Sequence, residues 1–495
     1  MASRREEFSA YTFARKRTIA AFLQPSSGVT EEGAPRPLRS LLPGLVAGAL
    51  VVIGFGAWGA FRPVAPQGWS KPGAHVIVGT DSTSRYVVLG TDKKSQLHPV
   101  LNLASAKLLM QGNGDADIIR VQDSELDNGK LQRGPTVGIP YAPDRMPTPE
   151  DAGTRKDWAV CEQPSANGRS TQRAVFLFAD REAGRVEGRN RLHGGQALYV
   201  RSKAGERYLV DPHGMKYVIG GAQTGQQAGA AYNSLLRALF KDGAQPQLVS
   251  DEWLHSLGDG KPIDFPVVPG TVGTNAGIPS LGDANRVGMV LEARSGVTTQ
   301  NYVVLQGRVA RVSEFVARLL LGSPQLTTLG QEGTAVRVNA PDFTSNGDEF
   351  YAAKKWPTHA PRQANSGEAG TDTAVKDTVC SILTGVKEDG TPELGAWAGE
   401  GYPKAIVDGA TSAYVTPGTG LLYRQFQGKA TGSGPVFLVT DTGLRYQLDS
   451  SNGRNAQNKL GYRGTSPVPV PIGWSEFLPV GPRLDVDSAR QPQGS

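Results

Sequence analysis

The side chains best suited to chemistry in this sequence are two cysteines and six histidines, and their spacing favours structure over catalysis. Cys161 and Cys380 form an even pair, and in an oxidising compartment an even count favours one disulfide. Two unpaired buried thiols are the alternative. A metal site is disfavoured because neither cysteine has a second cysteine or a histidine at ligand spacing. The histidines are scattered along the chain, so we expect structural or surface roles for them, without a metal or cofactor.

Glycine-rich strings that could cradle a phosphate occur twice, and both lie in an unsuitable context. The first, Gly258-Asp-Gly-Lys261-Pro262, lacks the loop length and the hydroxyl that a phosphate-binding loop needs. The second, Gly54-Phe-Gly56-Ala-Trp-Gly59, falls inside an apolar run with no strand before it. The sequence also lacks His-Glu-x-x-His, Gly-x-Ser-x-Gly and Ser-x-x-Lys motifs. We therefore expect no catalytic residue.

The element that positions the rest of the chain is an apolar run from Ser40 to Phe61, which has no charged side chain. As a helix it would be about 33 Å long, enough to cross a bilayer core. The charged residues before it are mostly basic: Arg4, Arg5, Arg15, Lys16, Arg17, Arg36 and Arg39 against Glu6, Glu7, Glu31 and Glu32. That excess predicts a cytoplasmic N-terminus and an extracytoplasmic C-terminal region. A cleaved signal peptide is the alternative, but the run is long and lacks a clear Ala-x-Ala exit.

Small residues within this run suggest how it packs in lipid. Gly44 and Gly48 are four positions apart, a spacing that lets two helix backbones approach closely in a membrane. Ordinary lipid-facing glycines are the alternative.

Composition indicates several β-rich domains outside this run. The chain has 495 residues, with 62 glycines and 34 prolines, which predicts many turns and short strands. The formal net charge is +6, but Lys and Arg are spread along the chain. Since no basic block with interleaved aromatics stands out, nucleic-acid binding is not expected.

A repeated string suggests an internal duplication. Tyr86-Val-Val-Leu recurs in related form at Tyr208, Tyr302 and Phe437, and helical patterns follow at 104–110, 231–240 and 312–321. Tyr86 and Tyr302 are separated by nearly the same length of chain as Cys161 and Cys380. These spacings predict two tandem halves, each with a hairpin–helix unit, a cysteine segment and a second hairpin–helix unit. Chance similarity of short strings is the alternative.

Three segments resemble one known family. They are Tyr11-Thr-Phe-Ala-Arg-Lys-Arg17, the stretch from His98 to Leu109 with Arg133 to Pro143, and the stretch from Leu460 to Asp485. The chain is similar over essentially its whole length to EccB proteins, membrane core components of the type VII (ESX) secretion system of actinobacteria. The resemblance implies assembly with EccC-like ATPase, EccD-like and EccE-like subunits into an oligomeric inner-membrane machine. Some family members are described as ATPases. An exported enzyme acting on the cell envelope is the alternative function.

Residues and resemblance together predict an α+β fold. One N-terminal transmembrane helix is followed by an elongated, β-rich extracytoplasmic region of four hairpin–helix repeats around a central domain, with pseudo-two-fold symmetry. The expected parts are a cytoplasmic segment (1–39), the transmembrane helix (40–61), repeat 1 (62–150), a central segment with Cys161 (151–195), repeat 2 (196–280), repeat 3 (281–345), a central segment with Cys380 (346–415), repeat 4 (416–486) and a disordered tail (487–495).

Overall fold

The structure, a computed structural model, divides into two compact units, residues 1–64 and 65–495. It describes residues 4–23, 38–60, 65–91, 94–112, 117–165, 170–222, 229–295, 298–339, 343–365, 376–406, 412–449 and 455–493.

The first unit contains two helices, α1 (Arg4–Leu23) and α2 (Leu38–Ala60). Pro43 is the sixth residue of α2, beyond its first turn, where it removes one backbone hydrogen-bond donor from the helix. The large apolar side chains described along α2, from Leu42 to Trp58, are all exposed. Among the residues that the structure describes, no helix combines the length and the apolar character needed to cross a membrane. The single transmembrane helix predicted over 40–61 therefore stays a prediction.

Sheet 1 (residues 75–133) is a five-stranded sheet with the order β4-β1-β2-β3-β5. Its elements are β1 (His75–Gly79), β2 (Arg85–Leu89), β3 (Gln96–Pro99), α3 (Leu103–Leu109), β4 (Asp117–Val121), α4 (Asp123–Leu126) and β5 (Gln132–Arg133). The first three strands form an antiparallel meander, and β4 and β5 then add in parallel to its two edges.

A short helix and a hairpin follow, and the hairpin belongs to a different sheet. These elements are α5 (Pro149–Gly153), β6 (Asp157–Pro164) and β7 (Thr171–Phe178). Sheet 2 (residues 196–259) then repeats the plan of sheet 1 with the order β11-β8-β9-β10-β12. It consists of β8 (Gln196–Arg201), β9 (Arg207–Val210), β10 (Met215–Val218), α6 (Ala230–Leu239), β11 (Gln247–Leu248), α7 (Asp251–His255) and β12 (Gly258–Asp259).

Sheet 3 (residues 290–349) has the same plan again, with the order β16-β13-β14-β15-β17. It consists of β13 (Val290–Ser295), β14 (Thr298–Leu305), β15 (Arg308–Val312), α8 (Glu314–Leu321), β16 (Val336–Asn339) and β17 (Ser345–Glu349). The side chain of Ser313 starts α8 by accepting a hydrogen bond from the Val316 N–H at 3.1 Å. Beyond it, β18 (Arg362–Gln363) pairs with β8, so part of the segment after sheet 3 completes sheet 2.

The chain then returns to the sheet that contains β6 and β7, the central sheet, and finishes with sheet 4 (residues 421–484). The elements are β19 (Thr378–Val386), β20 (Pro392–Gly399), β21 (Ala413–Val415), β22 (Leu421–Phe426), β23 (Val436–Val439), β24 (Arg445–Leu448), α9 (Ala456–Lys459), β25 (Val468–Pro471), α10 (Ile472–Ser475) and α11 (Val486–Ala489). The central sheet has the order β20-β19-β6-β7-β21, and sheet 4 the order β24-β23-β22-β25. In sheet 4, parallel bridges at Val480 and Leu484 stand where the other sheets have a fifth strand.

All four outer sheets thus share one topology, and the repeated strings fall on equivalent strands. Tyr86, Tyr208, Tyr302 and Phe437 lie on β2, β9, β14 and β23, the second strand of each meander. The unit is larger than a hairpin and a helix, because every meander gains parallel edge strands after its helix. Sequence alone missed the edge strands since β5, β11 and β12 are only two residues long.

The helices pack the sheets in pairs, and sheet 1 in addition has a small core of its own around Ile77 and Leu97. One hydrophobic core joins sheet 1 to sheet 4 through α3, and another joins sheet 2 to sheet 3 through α6 and α8. A third core packs sheets 2 and 4 against one face of the central sheet. A helix with one apolar stripe over a small sheet leaves apolar surface exposed, and pairing two such units buries it.

The tail predicted to be disordered over 487–495 contains the end of α11 (Val486–Ala489) and is described as far as residue 493. Val486 and Ala489 are buried, and Ala489 belongs to the core shared by sheets 1 and 4. The Gln493 N–H donates to the carbonyl oxygen of Thr136 at 2.8 Å. Apolar contacts thus hold this end, although its composition is polar.

Candidate functional site

The second unit, residues 65–495, is called the outer unit. A disulfide between the two halves of the sequence lies at its centre. Cys161 on β6 and Cys380 on β19 lie directly opposite each other in the antiparallel register, with their Cα atoms 4.0 Å apart. Both are completely buried against aromatic side chains that include Phe176 and Trp397. Because β6 and β19 are neighbours in the middle of the central sheet, the bond joins the hairpin of one half to that of the other.

A buried carboxylate beside this disulfide attaches the central sheet to sheet 2. Glu162 accepts hydrogen bonds from the Ser250 N–H at 2.8 Å and the Ser250 hydroxyl at 2.5 Å. Ser250 in turn caps α7 by accepting from the Trp253 N–H at 3.1 Å. Burial raises the pKa of Glu162 above its usual range, although the hydrogen bonds from Ser250 act in the opposite direction. The arrangement positions a helix and does not expose the carboxylate for catalysis.

The structure brings three of the six histidines together around one cleft. His193 lies in the connection between β7 and β8, His213 in the turn between β9 and β10, and His359 just before β18. All three line a cavity of about 460 Å³, together with Arg191. An adjoining cavity of about 560 Å³ shares Arg191 and His193 and is also lined by Arg155. The cleft thus lies where the central sheet, sheet 2 and the segment after sheet 3 meet.

Arg191 is held in this cleft by a glycine in the neighbouring strand. Its guanidinium group occupies the space that a Cβ atom on Gly395 of β20 would fill. The Gly214 turn approaches β20 at the same place, where an added Cβ would come within 2.8 Å of Leu394 Cβ. Burial lowers the pKa of Arg191, and the charges of Glu187 and Asp157 partly offset this effect. The half-buried guanidinium is therefore positioned by packing.

The histidine-bearing turn in sheet 2 is shaped by a buried aspartate. Asp211 Oδ1 accepts from the N–H groups of His213 and Met215, each at 2.9 Å, and Oδ2 accepts from the Tyr217 hydroxyl at 3.2 Å. Burial raises the pKa of Asp211. Both oxygens are thus occupied by donors of its own turn and of β10.

The segment that carries His359 forms a third side of the cleft, beside Arg191 and the His213 turn. Its Nδ1 atom lies 3.4 Å from Glu314 Oε2, at the first turn of α8. The backbone passes so close to Gly195 that a Cβ there would lie 2.5 Å from the Ala360 carbonyl oxygen. His193 Nδ1 lies 3.2 Å from the carbonyl oxygen of Arg191 and donates to it. The imidazoles of His193 and His359 are thus each held on one side by a neighbouring group.

The residues singled out by sequence fall in separate places. Gly44 and Gly48 lie in α2, where an added Cβ would meet no atom within 4 Å, so their packing role stays a prediction. Lys261 donates to the carbonyl oxygen of Ala353 at 2.8 Å, and Gly260 lies against the Tyr217 ring. The glycine–lysine string therefore serves the packing of sheet 2.

Sequence reasoning missed the histidine cleft. His193, His213 and His359 belong to different segments, and only the fold brings them into one cavity. A usable signal was Gly194-Gly195 beside His193, since paired glycines indicate a close backbone approach. Within the ranges that the structure describes, no group of three or more His, Cys, Asp or Glu side chains is arranged to hold a metal ion.

The whole chain matches one protein family. The family described as "Type VII secretion system ESX-1, transport TM domain B" matches residues 1–494. The chain therefore belongs to this family and is a membrane component of a type VII secretion system.

Individual relatives carry the name EccB. The chain is 28% identical over 493 residues to "ESX-3 secretion system ATPase EccB3" of Mycobacterium tuberculosis, covering 90% of this chain and 82% of the relative. It is 26% identical over 520 residues to "ESX-2 secretion system ATPase EccB2" of the same species, covering 98% and 94%.

Solved structures share the fold. A chain from the structure of an intact ESX-5 inner membrane complex matches with a TM-score of 0.58 at 21% identity, covering 100% of this chain and 96% of that one. A chain from the EccB3 dimer of the ESX-3 core complex matches with a TM-score of 0.57 at 24% identity, covering 84% and 100%. These likenesses extend the mixed α+β, sheet-rich fold to the family.

Proposed function

We propose that this protein is an anchored structural subunit of an ESX inner-membrane complex. In this proposal α2 spans the membrane once, the N-terminus is cytoplasmic, and the chain from residue 65 onward is extracytoplasmic. The family match over residues 1–494 is the observation that carries it. The excess of Arg and Lys before α2 and the exposed apolar side chains of α2 support the orientation. The disulfide suits an oxidising compartment.

The outer unit would act as a scaffold. Its four outer sheets are tied together by shared cores, and the disulfide links the two halves of the central sheet. Apart from the C-terminal end described above, we retain the domain boundaries predicted from sequence with one change: residues 346–363 belong with sheets 2 and 3, because β17 and β18 lie there. The partners would be EccC-like, EccD-like and EccE-like subunits in an oligomeric assembly.

Contacts with these partners would begin at the membrane. Gly44 and Gly48 lie on one face of α2, since residues four apart are neighbours on a helix. This face would admit a partner helix at close range. Arg15, Lys16 and Arg17 of α1 would contact acidic partner surfaces or anionic lipid, at about 1 kcal/mol per basic residue near such a surface.

Co-purification tests the anchoring proposal. A tagged chain replaces the native one in cells, with G44I/G48I as the test variant and A57I as the control on the opposite side of α2. We expect the test variant to recover less of the other membrane subunits, whereas the control recovers the wild-type amount. Equal recovery with all three chains would contradict the packing face. Recovery of no ESX subunit by the wild-type chain would contradict the proposed function itself.

Labelling tests the orientation. S9C on α1 should be protected from an impermeant thiol reagent in intact cells, and S433C on the exposed β22–β23 turn should react. Reaction of S9C from outside would overturn the topology.

ATP hydrolysis is the second candidate function, because the relatives' printed names include "ATPase". The purified full chain would then release phosphate from ATP above the level of a matched, heat-inactivated sample. We expect no such release, since the glycine–lysine string packs sheet 2. Turnover that a point substitution abolishes would establish the enzyme instead.

A further inference from the structure

Exposed apolar side chains of the outer unit gather where sheets 1 and 4 meet. Among its described residues, five large apolar side chains are strongly exposed, and Leu101, Tyr141 and Val480 are three of them. Leu101 touches the loop that carries Tyr141, since an added Cβ on Gly138 would lie 3.2 Å from Leu101 Cβ. An exposed apolar patch of this kind on a soluble surface marks an interaction site.

Sheet 4 contributes Val480 to the same place through Tyr446. The hydroxyl of Tyr446 lies 3.4 Å from the carbonyl oxygen of Tyr141. The ring of Tyr446 packs on Gly481, where an added Cβ would come within 2.5 Å of it, and Val480 directly precedes that glycine. We call Leu101, Tyr141 and Val480 the Tyr141 patch.

The backbone at Tyr141 is unusual for a tyrosine. The Ala142 N–H donates to the carbonyl oxygen of Ile139 at 3.2 Å, which closes a turn with Pro140 at its second position. Tyr141 at the third position has a φ of 62°. A type II turn needs a positive φ there and favours glycine or asparagine. The side chain is nevertheless 87% exposed, so burial of the ring does not compensate for this conformation.

Tyr351 provides the comparison within the same chain, because its φ is also positive, at 69°. Its ring centroid lies 5.4 Å from that of Trp356, and its hydroxyl accepts from the Val267 N–H at 2.7 Å. Packing inside the protein thus accounts for Tyr351. The ring of Tyr141 points away from the protein instead. Strain that the fold does not use is typical of residues that act on a ligand or partner.

The charged side chains around the Tyr141 patch are already paired with each other. Asp144 lies 2.6 Å from Arg85 and also accepts from the Leu103 N–H at 3.0 Å. Arg145 lies 3.7 Å from Asp441. An anionic lipid surface would require an excess of basic side chains. An aromatic centre within a polar, balanced rim is instead typical of a contact with another protein.

The shape of the patch indicates that this protein is a different chain. Tyr141 projects from a turn, so its ring needs a socket on the opposite surface. Three cavities of about 460, 560 and 620 Å³ lie elsewhere in the outer unit, and neither Leu101, Tyr141 nor Val480 lines any of them. Two copies that met through this patch would place one projecting ring against the other, because a two-fold contact uses the same surface twice.

We propose that Tyr141 is a docking anchor whose ring enters an apolar socket on another protein subunit of the membrane complex. Leu101 and Val480 pack around the socket, and the paired charges remain at the rim. Since no unpaired charge is involved, the contact depends little on salt. The proposal rests on the assembly role proposed above and adds a contact made by the outer unit.

The release of subunits from the purified complex tests the anchor. The complex is isolated in detergent through a tag on this chain, and the bound subunits are followed after dilution. Y141N removes the ring, and asparagine suits the turn. We expect it to release one partner subunit about tenfold faster, as loss of an aromatic anchor predicts. Y141F and the matched control V267N, which changes another exposed apolar side chain, should release it as wild type does.

Two further measurements separate docking from a structural role. Thermal unfolding of the Y141N chain should occur at a higher temperature than that of wild type, because the strain at φ 62° is relieved. A photoreactive benzoylphenylalanine in place of Tyr141 should crosslink in cells to the subunit that Y141N releases faster. Crosslinking only to a second copy or to lipid would overturn the proposal.

Unchanged release by Y141N would overturn this proposal alone. Faster release that is accompanied by a lower unfolding temperature would also overturn it, since Tyr141 would then support the fold. Recovery of no ESX subunit by the wild-type chain would overturn it together with the proposed function.

Discussion

The two pairs of outer sheets differ in how Lys and Arg side chains connect their helices. Between sheets 1 and 4, Lys107 of α3 donates to the carbonyl oxygen of Leu460 at the end of α9, at 3.3 Å. Lys459 of α9 donates to the carbonyl oxygen of Met110 at the end of α3, at 2.6 Å. Each lysine thus satisfies a carbonyl group that the opposite helix leaves free at its C-terminus. The contact is reciprocal, because each helix provides the donor for the C-terminal end of the other.

Between sheets 2 and 3 the contact runs in one direction only. Arg318 of α8 donates to the carbonyl oxygen of Ala238 in α6 at 2.5 Å. Arg237 of α6 instead bonds the Ser234 hydroxyl of its own helix at 3.0 Å. A cavity of about 620 Å³ opens beside these two arginines. The helix contact is therefore closed between sheets 1 and 4 and open between sheets 2 and 3.

The largest expected effect comes from cutting into the two shared cores. Leu108 of α3 and Leu319 of α8 are completely buried. L108A and L319A should each lower the free energy of unfolding by about 2–5 kcal/mol, because each leaves a cavity. Hydrogen exchange should show faster opening in sheets 1 and 4 for L108A, and in sheets 2 and 3 for L319A.

The exposed Leu101 provides the control for this measurement. L101A should change the free energy of unfolding by less than about 0.5 kcal/mol. Faster exchange confined to the sheet that carries the substitution would show that the cores are not shared.

An intermediate effect should distinguish the reciprocal contact from the one-way contact. K107M and K459M should each lower the free energy of unfolding by about 1–3 kcal/mol, since each leaves a carbonyl group without its donor. R318M should do the same, whereas R237M should change it by less than about 0.5 kcal/mol. Urea titration of the four variants gives the comparison.

Equal effects of R237M and R318M on the free energy of unfolding would contradict the one-way contact between sheets 2 and 3. A K459M variant as stable as wild type would likewise show that the contact between sheets 1 and 4 is not reciprocal.

The smallest effect concerns pH and the buried carboxylate Glu162, which fastens sheet 2 to the central sheet. In sheet 4, the neutral hydroxyl of Ser475 on α10 lies 2.7 Å from that of Tyr423 on β22 of the same sheet. Since the folded pKa of Glu162 lies above its ordinary value of 4.5, the folded state binds the proton more tightly. Its contribution to stability therefore rises as the pH falls through the folded pKa and is complete below 4.5.

The difference in unfolding free energy between wild type and E162Q should follow this direction and grow in favour of wild type as the pH falls. E388Q, in the exposed β19–β20 turn, is the matched control. If the difference in unfolding free energy between wild type and E162Q fell on acidification, the predicted direction would be wrong.

Much of the fold follows from short-range patterns. The strings at Tyr86, Tyr208, Tyr302 and Phe437 mark equivalent strands because alternating apolar residues and turn glycines act locally. Helix starts were within two residues of those observed: α3 begins at 103, α6 at 230 and α8 at 314. These elements depend mainly on caps and periodicity, which a sequence displays directly.

The pairing of sheets and the cleft depend on contacts between distant segments. Nothing local in Lys107 or Lys459 reveals that each reaches the end of the other's helix, since more than 300 residues separate them from their acceptors. Likewise, Arg191 and His359 share a cavity only because β18 joins β8. Long-range packing of this kind is set by which apolar faces find each other, and a single sequence does not specify that choice.

The position of the disulfide determines which part of the outer unit can transmit mechanical force. The bond encloses a separation of 219 residues that contains all of sheets 2 and 3. Tension applied between α2 and the C-terminus would pass from β6 to β19 across the sulfur atoms and bypass the chain between them. The chain between the two cysteines would be about 700 Å long if extended, and the disulfide prevents tension from extending it. Sheets 2 and 3, with the histidine cleft at their border, are thereby kept folded under a load that sheets 1 and 4 must bear.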